Sequence, residues 1–356
     1  MDDNVYNTER AQTADEAVVV TPSLEVVVPV GRRFRVRSLG SVMPHYFVSE
    51  KSQRHTDRYG RVGVEGELSR LGAFAWRGEG RYRQRFSLEL DERLARKESS
   101  WGFGGSLRVS TMTVRLSQRQ VTSLYEQSTE VQDFAVDTAL DRETLTRTVE
   151  VNVPLSRRTT LVPWVDLVQD RFLSGATPRV DSQRFAAALE FTEKALLAGR
   201  LALGVRRFGP QEGVAPYQGL YAAVDVGIPL PLTNLLQLSA TRDVAFTVTP
   251  AAAVDIQRNT AIESTYRGEL RIPLPASFFG RASAAYSTFD YILPVLQDGV
   301  AVDRQDDAWG VGGALLRRFG SHVSLGGMVQ WSHRQSTLAG HSYRGMIYGA
   351  TGEVRF

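Results

Sequence analysis

The chain has 356 residues, no cysteine and a formal net charge of +3, with 42% hydrophobic and 23% charged residues. Without cysteine there is no disulfide scaffold, thiolate metal site, thiol nucleophile or lipid-anchoring cysteine. Mean hydropathy is −0.21, and the longest charge-free run, Val226 to Thr241, is broken by Pro229 and Pro231. The first argues against a multi-helix membrane protein and the second against any membrane-spanning helix, which needs ~20 apolar residues, but neither excludes a transmembrane β-barrel, whose alternating strands average to an ordinary hydropathy. Lysine occurs only at Lys51, Lys97 and Lys194, and the remaining basic residues are arginines scattered among the acids with no basic block. That pattern suits a mixed-charge surface or lumen, and no nucleic-acid partner is expected.

In chain order, Met1-Asp2-Asp3-Asn4 offers neither a basic n-region nor an apolar h-region. A signal peptide is therefore expected upstream of this numbering or already removed. Asp2 to Thr8 reads as the end of a first strand, so that residues 1–17 make a partial first strand and loop. From Arg58 to Leu68, Val62, Val64 and Leu68 alternate with Arg61, Glu65 and Glu67. From Ala73 to Leu88, one face carries Trp76, Tyr82, Phe86 and Leu88, the other Arg77, Glu79, Arg81, Arg83 and Arg85. Ala261 to Ile272 sets Glu263, Arg267, Glu269 and Arg271 against Ile262, Tyr266, Leu270 and Ile272. Ser321 to Arg334 sets Val323, Leu325, Val329 and Trp331 against Ser324, Gln330, Ser332 and Arg334. This period of two predicts half-buried β-strands; a helix would scatter the charges around its circumference.

Short links recur at Gly31-Arg32, Arg70 to Gly72, Ser156 to Arg158, Pro229 to Pro231, Pro273 to Ala276 and Phe319 to Ser321. Longer polar links are expected between them at Ser49–Thr56, Asp91–Ser99, Leu173–Arg179, Pro210–Ala215 and Leu293–Val302. Short turns at one end and long loops at the other are the layout of an outer-membrane barrel, with the short turns periplasmic. About eight hairpins from Val18 to Gln335, plus a last strand from His341 to Phe356, make about seventeen strands. The partial strand at the N-terminus completes an even number, as single-chain bacterial barrels have. The predicted fold class is all-β: one antiparallel transmembrane β-barrel over residues 1–356, of eighteen strands, with sixteen as the alternative. Boundaries are least defined around Ser128 to Asp141. The last strand places Tyr348, Ala350, Gly352, Val354 and Phe356 on one face, which is similar to the C-terminal assembly signal of outer-membrane proteins and implies the barrel assembly machinery as a partner.

Charge in hydrocarbon costs several kcal/mol, so the apolar rows are expected to face outer-membrane lipid and the charged rows to line the lumen. The expected pore-lining residues are Glu65, Glu67, Arg77, Glu79, Arg81, Arg83, Arg85, Arg115, Glu190, Arg200, Asp225, Glu263, Arg267, Glu269 and Arg271. They either contact a polar solute or only brace the wall. Tyr46, Phe47, Trp101, Trp164, Tyr217, Tyr286, Tyr291, Trp309 and Tyr343 fall near strand ends, as interfacial girdles do; those nearer the lumen also suit stacking against sugar rings. The five histidines, His45, His55, His322, His333 and His341, show no metal-ligand spacing along the chain. Ser332-His333 and His341-Ser342 point to opposite faces of a strand, so neither forms a dyad. No catalytic residue, metal or cofactor is expected. Gly102 to Gly105 and Gly310 to Gly313 lack a following helix or phosphate-loop lysine and read as close packing or bends in a curved sheet.

Asp2-Asp3-Asn4-Val5-Tyr6-Asn7, followed by Val18-Val19-Val20-Thr21-Pro22-Ser23-Leu24, resembles the opening of the beta-barrel porin 2 family. Val153-Pro154-Leu155, Ile228-Pro229-Leu230, Ile272-Pro273-Leu274 and the closing Thr351 to Phe356 are similar to that family's turns and last strand. The resemblance covers nearly the whole chain. It implies an eighteen-stranded outer-membrane port for a secreted or capsular polysaccharide, with periplasmic export proteins and the polysaccharide chain as partners. A general diffusion porin and a structural or adhesion barrel with a blocked lumen are the other readings of the same residues.

Overall fold

The computed structural model describes residues 14–354, apart from 20–21, 52–53, 68–71, 88–91, 127–140, 174–178, 193–196, 210–215, 251–255, 298–299, 321–322 and 340. The strands are β1 (Ala17–Val19), β2 (Ser23–Val30), β3 (Phe34–Phe47), β4 (His55–Glu67), β5 (Gly72–Ser87), β6 (Glu92–Val109), β7 (Met112–Glu126), β8 (Arg142–Pro154), β9 (Thr159–Phe172) and β10 (Arg179–Phe191). They continue as β11 (Ala198–Phe208), β12 (Tyr217–Pro229), β13 (Leu235–Pro250), β14 (Ile256–Pro273), β15 (Phe278–Tyr291), β16 (Val295–Gln297), β17 (Val300–Val302), β18 (Gln305–Phe319), β19 (Val323–Ser336) and β20 (Tyr343–Val354). Eighteen of these belong to one antiparallel sheet, and β16 and β17 form a separate small hairpin. β1 and β2 both pair with β3, each along a different part of it, so they act as one interrupted strand. From β3 onward every large strand pairs with its sequence neighbour, with β15 passing to β18 across the small hairpin. The partial first strand expected at Asp2–Thr8 lies outside the described residues, as does Phe356.

Register turns alternation into two faces. On β11, Leu201, Leu203 and Val205 share a face with Phe185 and Leu189 of β10 and Leu220 of β12. The same face carries Trp101, Phe103 and Leu107 on β6, Val311 and Leu315 on β18, and Leu325, Val329 and Trp331 on β19. All are solvent-exposed, with Leu203 at 65%. A continuous apolar belt of this extent on a protein surface needs a cover, and an outward apolar band is what a transmembrane barrel presents to lipid. On β19 the belt runs from Val323 to Trp331, close to the ~9–11 residues a tilted membrane strand needs. Its loop-side border is a row of rings on successive strands: Tyr266 stacks on Tyr286, Tyr286 lies 5.3 Å from Trp309, and Trp309 stacks on His333 at 5.5 Å.

The opposite face is concave. Arg184 on β10 reaches Asp243 on β13 at 2.9 Å, although two strands lie between them. At ~4.8 Å per strand, side chains that far apart meet only on the inside of a curved sheet. Curvature also crowds backbones: a Cβ added at Gly204 would fall 2.3 Å from the Phe185 carbonyl oxygen and 2.4 Å from Ala186 Cβ. Gly204→Ala should therefore cost about 1–3 kcal/mol through overpacking, read as a lower urea midpoint of the refolded barrel; an unchanged midpoint would show that the two strands separate freely.

The two ends differ as expected. Gly31 and Gly320 turn with φ of +67° and +65°, the left-handed region that glycine enters without a Cβ penalty. Ser110 and Ala276 also adopt positive φ in the links β6–β7 and β14–β15, both at the short-turn end. The expected loop Asp91–Ser99 is corrected: β6 starts at Glu92 and pairs with β5 throughout. Strands that rise beyond the lipid meet water on both faces, so the apolar alternation that marks a strand fades there. The expected loop Leu293–Val302 contains the β16–β17 hairpin, whose base is fixed by a buried cluster. Asp306 accepts from Arg304, Arg334 and Tyr291 there. Asp15 accepts the backbone N–H groups of Ser49 and Glu50 and so pins the β3–β4 loop. Burial pushes the Asp15 carboxyl up, but the N–H groups of Glu50, Ser49 and Glu16 outweigh it and hold the group below the ordinary carboxylate range.

Candidate functional site: the lumen wall

Register places every expected pore-lining position on the concave face. Glu65 and Glu67 of β4 are in phase with Arg77, Glu79 and Arg81 of β5. Arg83 and Arg85 continue that row in register opposite Arg96 and Leu94 of β6; their side chains lie outside the described residues. Arg115 opposes Glu150, Glu190 opposes Arg200, and Arg200 opposes Asp225. Asp225 leads through Ser239 to Arg267, with Glu263, Glu269 and Arg271 in phase along β14. Several of these rows carry opposite charges in contact: Arg115–Glu150 and Arg200–Glu190 at 3.2 Å, Arg81–Glu79 at 2.7 Å, Arg271–Glu269 at 2.6 Å, and Arg35–Glu65.

A denser network on β8 to β13 was not legible from alternation. Asp166 is 4% exposed at its side chain and accepts from Arg184 at 2.6 Å, from Trp164 Nε1 at 3.0 Å and from Thr148 Oγ1 at 2.6 Å. Arg184 also reaches Asp243, which Arg206 contacts at 3.0 Å. The guanidinium of Arg184 lies 4.4 Å over the Tyr221 ring, and that of Arg200 lies 4.5 Å over Trp164. Arg184 and Arg206 balance Asp166 and Asp243, Arg200 is paired with Glu190, and Val162, Ala188 and Ala202 pack against Trp164. On β9 the inward face mixes Val162, Trp164, Asp166, Val168 and Asp170. Apolar and acidic residues share one phase, which blurs the polar–apolar alternation that revealed the other strands.

The expected aromatic girdle divides in two. Tyr46, Trp101, Tyr286 and Trp309 are on the outward face, as girdle residues should be. Phe47, Trp164, Tyr217, Tyr291 and Tyr343 are corrected to the inward face by register. Sequence places a ring near a strand end, but the phase within the strand decides which side it faces. Tyr348, Ala350, Gly352 and Val354 hold consecutive outward positions on β20.

No family model matches the chain, and no curated protein matches it. Among solved structures it is similar to a mutant ferric enterobactin receptor of Pseudomonas aeruginosa in complex with enterobactin, at 8% identity and a TM-score of 0.50, covering 96% of this chain and 71% of that one. It is also similar to the siderophore receptor PirA of the same organism, at 11% identity and TM-score 0.45, covering 97% and 70%. A third is the alcaligin outer-membrane receptor of Bordetella pertussis, at 11% identity and TM-score 0.45, covering 96% and 64%. The likeness is one of architecture. The fold is that of an outer-membrane β-barrel.

The barrel wall is uneven. Away from the braced β8–β13 side, the middle inward positions of two paired strands are small: Ser283, Ala285 and Ser287 on β15 and Ala308, Gly310, Gly312 and Ala314 on β18, while β19 mixes Ser324, Gly326 and Ser332 with Met328, Gln330 and Arg334. Gly102 and Gly104 on β6 are likewise inward, each within 3.1–3.2 Å of β7 backbone atoms at the position of a missing Cβ.

Proposed function

We propose that this protein is an outer-membrane conduit that passes a polar polymer, with a secreted or capsular polysaccharide as its cargo. The observation that carries the reading is the stretch of glycine, alanine and serine facing inward at the middle of β15 and β18. Barrels of sixteen to eighteen strands enclose an aqueous channel unless side chains or a plug fill it, and this stretch supplies little filling volume at mid-strand. On the same concave face, the arginine and carboxylate rows offer many separate hydrogen-bonding groups. Weak contacts repeated along a path suit transport, because a chain bound tightly at one point would not leave. The polysaccharide cargo is drawn from the resemblance of the opening, turn and closing segments to the beta-barrel porin 2 family. No bond chemistry is invoked; periplasmic export proteins would feed the barrel.

The test is surface polysaccharide in a strain lacking the protein, with a complementing copy. Loss that is restored on complementation supports export. Unchanged surface polysaccharide together with steady conductance of the purified barrel in planar bilayers points to a diffusion porin, and absence of conductance points to a blocked structural barrel. The lumen itself is tested by Arg200→Glu with Arg267→Glu, which should shift reversal potentials toward cation selectivity while the barrel still inserts. Unchanged selectivity in the inserted double variant would remove those residues from the path.

A further inference from the structure

The five histidines show no metal spacing along the chain, yet folding brings two of them together. His45 near the end of β3 and His55 at the start of β4 are direct register partners, and Asp57 follows two residues later on the same inward face. We propose that His45, His55 and Asp57 form a binding site for a borderline divalent transition ion of the zinc class, at the loop end of the lumen.

The imidazoles stack with centroids 4.3 Å apart and planes 14° from parallel. His45 Nε2 lies 3.7 Å from one Asp57 oxygen, and His55 Nε2 lies 3.9 Å from the other. One ligand atom from each residue falls within 4.8 Å of the others. Bonds of about 2.0–2.2 Å in a tetrahedral zinc site separate its ligand atoms by roughly 3.3 Å, so side-chain rotation of about an ångström closes the set around an ion. Two imidazoles and one carboxylate with a position left open is a donor set that zinc accepts, and imidazole also suits copper and nickel.

Burial favours an ion here over a chance surface pair. The side chains of His55, Asp57 and His45 are 4%, 18% and 22% exposed, so water competes weakly for the ligand atoms. The backbone is held on both sides: β3 and β4 pair up to His45↔His55, β1 pairs with His45 through Val19, and Asp15 fixes the adjoining loop at Ser49 and Glu50. A site whose ligands stand on paired strands loses little conformational freedom on binding. Its position at the long-loop end makes it reachable from the side that is extracellular in barrels of this layout, and it is independent of what the lumen carries.

The experiment uses the full, tag-free barrel in detergent and zinc ion alone, titrated in competition with a chromophoric chelator. The expected result is one equivalent bound, with affinity at least ten-fold weaker in His45→Ala, His55→Gln and Asp57→Asn. His333→Ala, on the outward aromatic row, should bind as wild type. Cobalt(II) substituted at the site should give the intense visible bands of a low-coordinate nitrogen–oxygen environment in wild type and lose them in the three variants. Heat-modifiable gel mobility establishes that each variant is folded. Should His55→Gln fail to fold, Asp57→Asn and the cobalt spectrum of wild type decide the matter. Absence of stoichiometric zinc binding, or affinity equal in wild type and folded variants, would overturn the site.

Discussion

Leu203→Arg should destabilise the membrane-inserted barrel by about 2–4 kcal/mol, the cost of arginine at the lipid midplane of such a sheet. Leu203 sits at the centre of β11, with Leu201 and Val205 above and below it on the same outward face. Its neighbours across the strands are Ala187 and Ala222, which are too short to shield a guanidinium or pair with it. At mid-strand the arginine stem is poorly placed to lift its charge to the headgroups. The measurement is reversible urea unfolding from phospholipid vesicles. Ser283→Arg provides the contrast: the same charge on the inward face, beside Glu269 and Gly312, should assemble with a midpoint close to wild type. A small loss at Leu203, or an equal loss at both positions, would mean that the two faces have been assigned wrongly.

Arg184→Met should destabilise the barrel by about 1–3 kcal/mol. Removing one partner of a fully buried ion pair costs 3–5 kcal/mol because the other charge is stranded. Arg184 keeps 23% of its side chain exposed, so lumen water offsets part of that. The loss is concentrated on Asp166, which is 4% exposed and keeps only neutral donors, Thr148 and Trp164. Asp243 retains Arg206. The double variant Arg184→Met with Asp166→Asn should therefore recover part of the loss, giving a coupling energy of order 1–2 kcal/mol in a double-mutant cycle. Additive losses would show that the two side chains act separately, and that the network is not what braces the β8–β13 wall.

Leu203 and its neighbours belong to an alternation visible in the sequence, because lipid outside and water inside impose opposite solvents on adjacent residues. Arg184 and Asp166 also follow the period of two, but their partners sit on other strands, and Val162 and Trp164 share their phase. A one-dimensional pattern cannot tell an apolar residue facing lipid from one packed beneath an ion pair. The aromatic rings divided for the same reason: Trp101 and Trp309 face outward, Trp164 and Tyr291 inward, and all four had looked alike as rings near strand ends. The loop Asp91–Ser99 was misplaced because a strand with water on both sides carries no alternation. His45 and His55 met only because a hairpin folds ten residues back on themselves.

By itself, the sequence determined the all-β class, the order of the hairpins, the short-turn and long-loop ends, and which charged positions share a face. Those follow from local rules, since alternate side chains must point to opposite sides of a pleated strand. The tertiary structure decided how far across the concave wall side chains reach, which rings line the lumen, and which titratable groups come within bonding distance. Those depend on register and curvature, which are set when each strand pairs with its neighbour and the whole sheet bends.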